Sequence, residues 1–201
     1  MGDLLSSLPE PSDWQDIAWV GYYDGDRGLA CGFADAGDAV LAAWQSGPHP
    51  NDPLLLPMIY NYRHGIELAL KQAIRQAVEC LQMARRDHGV PTPSELEAHL
   101  KSKQRHRLGP LAEQLAGLLN QLQLGSLPPE TMRWLMRLHQ LDPSGEAFRY
   151  ANHLKTDATA VDVVRLASAF REAFDMVHGG VLTMLDVHET HLYEMWEQGM
   201  N

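Results

Sequence analysis

Apolar residues recur at three- and four-residue steps over two long stretches of this chain. Nowhere does a run of β-branched or aromatic residues alternate with polar ones between two turn clusters. The first stretch runs from Pro57 to Asp87, with Ile59, Ile66, Ala69, Leu70, Ala73, Ile74, Ala77, Val78, Leu81 and Ala84 on its stripe. Asn51-Asp52-Pro53 makes the turn before it, and Pro57 suits a first helical turn. The helix should stop near His88-Gly89, ahead of Pro91 and Pro93.

The second stretch runs from about Thr159 to Glu197. Its stripe is Val163, Ala167, Phe170, Phe174, Val177, Val181, Leu185, His188, Leu192 and Met195, and Thr159 with Asp162 suits its start. Gly179-Gly180 interrupts it, and two glycines lower helix stability by about 2 kcal/mol relative to alanines. The helix therefore either kinks there or lets a neighbour cross closely. Shorter helices are expected over Gly28–Gln45, Leu108–Gln123 and Pro129–Leu141, with a small one capped by Ser94 and Glu97. Ser12 and Gln15 suit a short helix bearing Trp14, Ile17 and Trp19, so residues 1–23 are expected to extend the N-terminus and pack on the bundle. The expectation is an all-α fold in one domain, 1–201, with two long helices at about 57–87 and 159–197.

Composition narrows this picture. With 201 residues, of which 45% are hydrophobic and 21% charged, the chain builds its core without a metal or disulfide. Cys31 and Cys80 stand alone within apolar helical patterns and read as reduced core residues, which points to the cytoplasm. No stretch is long and apolar enough to span a membrane. The first residues lack a basic start and an apolar run, so no secretory leader is expected; they match the loose Met-Gly-x-x-x-Ser acylation pattern without the basic residues that would hold a chain at a membrane. The net charge of −10 repels nucleic acid on average, so any RNA contact needs a local basic patch. The run Lys101, Lys103, Arg105 and Arg107, expected as a loop, is the only dense one. Asp142-Pro-Ser-Gly reads as a turn, followed by an exposed-looking aromatic–Arg segment at Phe148-Arg149-Tyr150.

Three groups of residues invite chemistry. On the first long helix Glu67 and Lys71 fall roughly 40° and 80° round from Arg63, on a face shared with Ile74 and Val78. Such a ladder is either an ordinary helix ion ladder, worth a few tenths of a kcal/mol per pair, or a partly buried polar site between helices. On the last helix Arg171 and His178 share a face, and a guanidinium beside an imidazole can cleave RNA without a metal. With twelve Arg and ten His in the chain, roughly two Arg–His pairs at four to six intervening residues arise by chance. The chain has two, Arg171–His178 and Arg133–His139, so the spacing alone carries no weight. His188, His191 and Glu194 lack the second cluster that a di-metal bundle needs, and no phosphate loop, nucleophile elbow or zinc motif occurs. No cofactor or metal is expected.

The motifs then show a resemblance. Asn-Tyr-Arg63-His64-Gly-Ile-Glu67-Leu-Ala-Leu-Lys71 resembles the Arg-His-x-x-Glu-x-x-Leu-Lys helix of bacterial HEPN-like helical proteins. His106-Arg-Leu108-Gly-Pro-Leu111 is similar to their His-x-Leu-x-x-Leu segment, without the Trp that often follows. Phe148-Arg149-Tyr150 is similar to their Phe-Arg-Tyr segment, with Ala151 where proline is usual, and Gly32-Phe33 to Asp38 matches their first helix. The resemblance covers about Gly28 to Tyr150. It implies a HEPN-like antiparallel helical bundle, commonly dimeric, with relatives that are RNases of toxin or defence systems and others that serve as binding or scaffold modules.

Two functions follow. As a metal-independent RNase, the chain would use Arg171 and His178 across a dimer, with Lys101, Lys103, Arg105 and Arg107 holding RNA; Glu172, beside the Arg, opposes an approaching phosphate. As a non-catalytic module, it would use Arg63, His64, Glu67, Lys71, His106 and Arg149 as an internal polar network that fixes helix packing. The partners expected are a second copy, a cognate protein and RNA, with no membrane.

Overall fold

The computed structural model describes residues 25–48, 51–84, 89–149 and 159–199, together with Asp13 and Gln15. The rest of the extension expected at 1–23 lies outside the described residues, as do 85–88, Tyr150 and the side chain of Arg149. Among the described residues every regular element is helical and none is a strand. The α-helices are α1 (Gly25–Ser46), α2 (Leu55–Met83), α3 (Pro93–His99), α4 (Leu108–Gln121), α5 (Pro129–Leu141), α6 (Val163–Asp175) and α7 (Leu182–Glu197).

Helix α2 is the axis of the bundle because it is apolar on most of its circumference. Met58, Ile59, Tyr62, Ile66, Leu70, Ile74, Val78 and Leu81 are all buried, and burying each such side chain contributes roughly 1.5–3 kcal/mol. Helix α1 runs antiparallel to it: Asp26, Phe33 and Asp38 face Arg75, His64 and Tyr62 in turn. The two backbones approach closely at Gly65, where a Cβ would lie 2.9 Å from the Ala30 carbonyl oxygen, so the absence of a side chain sets the crossing. Helices α6 and α7 run parallel to α2, with Phe170 beside Tyr62 and Asp186 beside Gln76. Cys80 is fully buried, and Cys31 half-buried.

Several expected boundaries shift. The first long helix begins at Leu55 and ends at Met83, with Ala84 as its C-cap. The small helix is capped by Thr92 and Glu95 in a reciprocal capping box, two residues upstream of Ser94 and Glu97, since Pro93 takes the first helical position. The second long helix starts at Val163, capped by Asp162 rather than Thr159, and a π-helical turn over Met176–Val181 divides it. Gly179 and Gly180 lie in that turn, and a Cβ on Gly179 would meet nothing within 4 Å. The glycines therefore accommodate a bulge, not a close crossing. A second π-helical turn, Leu100–Gln104, extends α3 into the basic run expected as a loop. Phe148, expected at the surface, is buried in the core.

Candidate functional site: a buried ionic cluster beside a basic turn

The ladder on α2 is buried. Arg63 and Glu67 keep 3% and 1% of their side chains exposed and pair through Nη1 and Oε2 at 3.3 Å. Lys71 Nζ donates to Glu67 Oε1 at 2.7 Å. The same oxygen meets His106 Nδ1 at 2.9 Å, from the segment between α3 and α4. Burial alone would push the Glu67 carboxyl up, but Lys71, His106 and Arg63 outweigh it and hold the carboxyl below the usual carboxylate range.

Asp142, at the end of α5, closes the cluster from the other side. Its Oδ2 lies 3.0 Å from Arg63 Nε. Its Oδ1 accepts from the backbone N–H groups of Gly145, Glu146 and Ala147 at 2.7, 2.9 and 3.1 Å. The Asp-Pro-Ser-Gly turn thus curls round a buried carboxylate. Gly145 needs to be glycine on two counts: its φ is +85°, and a Cβ would run into the Cβ of His106. Arg63 Nη2 donates to the carbonyl oxygens of His106 at 2.5 Å and of Asp142 at 3.3 Å. One guanidinium therefore ties α2 to both segments, the fixed fork geometry that lysine lacks.

His106 is held on three sides and open on the fourth. Glu67 takes its Nδ1, Arg63 its carbonyl, and Gly145 lies against its Cβ, yet 38% of its side chain is exposed. The residue before it, Arg105, has φ +47°, a strained conformation for a side chain with a Cβ. Lys101, Lys103, Arg105 and Arg107 are all exposed around this segment. His139 packs against Gly109 beside the cluster; burial, then the charges of Arg107 and Arg63, push its imidazole below the ordinary value.

The structure turns Arg171 and His178 towards the same helix, α1, where each is engaged. Arg171 Nη1 meets Asp38 at 2.6 Å and Asp35 at 3.1 Å, and its Nε donates to Asp175 at 3.0 Å. Asp38 in turn accepts from the Tyr62 hydroxyl. His178 stacks on Phe174 at 5.0 Å and lies 3.4 Å, through Nε2, from Cys31 Sγ. Burial pushes its imidazole below the ordinary value.

Of the residues expected in the polar site, Arg63, Glu67, Lys71 and His106 come together. His64 lies edge-on to Phe33 at 4.2 Å, on the α1 side. Asp142, read only as the start of a turn, and His139, read only as a partner of Arg133, join the site as well. The first had a signal in its turn, since aspartate before Pro-Ser-Gly commonly accepts from the next backbone N–H groups; the second had none. Among the described residues no group of three or more His, Cys, Asp or Glu is arranged to hold a metal ion, and no helix is long and apolar enough to cross a membrane. Comparison with protein-family models, with curated proteins and with solved structures finds no match.

Proposed function

We propose that this chain is a HEPN-like helical protein of a bacterial defence or toxin–antitoxin type system, working in the cytoplasm as a homodimeric binding or scaffold module. One observation carries this reading over the RNase one: Arg171 is bound by three carboxylates, Asp35, Asp38 and Asp175. To stabilise a phosphorane-like transition state its guanidinium must exchange three anions for one. Among the described residues no carboxylate pairs with His178, held between Phe174 and Cys31, to make it a stronger base. The cluster around Glu67, by contrast, joins α2, α5 and the segment leading into α4 into a rigid frame, which a binding module uses to present the surface beside it.

The test is an RNA cleavage assay of the purified dimer beside its Arg171→Ala and His178→Ala variants. The binding reading expects no cleavage that either substitution removes. A metal-independent RNase using this pair would lose its activity in both.

A further inference from the structure

We propose that His106 is a phosphoryl-accepting nucleophile, reacting through Nε2 with small anionic phosphoryl donors. The orientation of its ring is the first reason. Glu67 is ionised and almost solvent-free, so Nδ1 meets it as the N–H donor, at 2.9 Å. In the neutral ring that fixes the tautomer and leaves the lone pair on Nε2. Among the described residues Nε2 meets no partner, and more than a third of the side chain is exposed. In this tautomer the free nitrogen accepts. It therefore reacts with an electrophile and does not by itself hold an anion.

The second reason is the setting. A π-helical turn, Leu100–Gln104, and a strained non-glycine residue, Arg105, lead directly into His106; both features concentrate at functional sites. Arg63 fixes the His106 carbonyl, and Gly145 fixes its Cβ. A histidine that only bridged helices would not need its ring edge left open or its flanks lined with cations. Lys103, Arg105 and Arg107 are exposed on either side, the only dense basic run in an acidic chain. They draw in a ligand whose electrophilic centre is itself anionic, as a phosphoryl group is.

The step balances on the chain and one donor, an N-phosphoryl or acyl-phosphate compound. The Nε2 lone pair forms the new N–P bond as the donor's P–N or P–O bond breaks, and the leaving group departs with that electron pair and takes a proton. The positive charge left on the ring faces Glu67, and the Nδ1 proton is the one released. Glu67 is the positioning residue, and phosphorylation would place about two negative charges among the cations of Lys103, Arg105 and Arg107.

This goes beyond the binding reading and does not rest on it, because the test below needs no partner and no RNA. Wild-type protein is incubated with phosphoramidate in mildly alkaline buffer, and phosphate on each histidine is followed by mass spectrometry and 31P NMR. His106 should be modified at Nε2 about tenfold faster than the exposed His191, with the Nδ1–H tautomer visible by 15N NMR. His106→Asn should abolish the fast phase. Glu67→Gln should slow it about tenfold, and if that variant does not fold, the His106-to-His191 comparison in the wild-type chain decides. Modification of His106 no faster than of His191, or at Nδ1, overturns the proposal.

Discussion

Arg63 Nε and Asp142 Oδ2 meet 3.0 Å apart with 3% and 1% of their side chains exposed, and this pair joins the middle of α2 to the end of α5. Removing one partner of a buried pair leaves the other charge uncompensated. Asp142→Ala also strips the acceptor from three backbone N–H groups. Urea unfolding should show a loss of about 3–5 kcal/mol for Asp142→Ala and for Glu67→Ala. Arg133→Ala, at an exposed pair with Glu130, should lose under about 1 kcal/mol.

Gly145→Ala should destabilise the fold by roughly 1–3 kcal/mol, because its positive φ and the His106 Cβ both oppose a side chain. Gly117→Ala should do the opposite. Gly117 is inside α4, and a Cβ there meets nothing within 4 Å, so alanine should stabilise by about 0.5–1 kcal/mol. Thermal melts of the two variants should move in opposite directions.

Acid should weaken the fold in two steps. The folded-state pKa values of His139 and His178 lie below their ordinary 6.5, so the unfolded chain takes up protons first. Stability from these residues is present above that value and declines as pH falls below it. Glu67, Glu97 and Asp186 also lie below their ordinary values. Their contribution is present above about pH 4.5 and is lost as pH falls through the folded values. Glu79, which burial and Glu189 push up, works the other way and favours the fold as it protonates. Stability measured against pH should therefore step down below about 6.5 and again below about 4.5, with the second step smaller in Glu67→Gln.

Periodicity made α2 readable to within a few residues, because a helix in a core must repeat its apolar positions every turn, and the prolines on either side bounded α5. The Arg63–Glu67–Lys71 spacing placed three charges on one face, and their closeness to Ile74 and Val78 showed that this face abuts the core. What spacing does not encode is the partner from elsewhere in the chain. Asp142 meets Arg63 across 79 positions, and nothing local to either residue specifies that pairing. The π-helical turns escaped for a related reason: one extra residue per turn leaves the apolar stripe nearly unbroken across Val177 and Val181 while shifting everything after it. The Arg171–His178 pair was visible as a shared face, but the carboxylates of Asp35 and Asp38 that engage Arg171 come from α1.

The proposed dimer has its own check. Tyr193 and Trp196 on α7, their rings 6.0 Å apart, are 52% and 61% exposed, apolar area that a monomer would leave in water. Light scattering should give about twice 22.5 kDa, and Tyr193→Glu with Trp196→Glu should shift the species toward half that mass. A wild-type monomer at micromolar concentration contradicts the assembly.

The decisive measurement is cleavage of labelled RNA by the wild-type protein and its His178→Ala variant, both in EDTA. With Arg171 bound by Asp35, Asp38 and Asp175, the wild type should leave the RNA intact and the two traces should coincide. EDTA-resistant cleavage by the wild type that disappears in His178→Ala would contradict the binding-module reading and restore Arg171 and His178 as a catalytic pair.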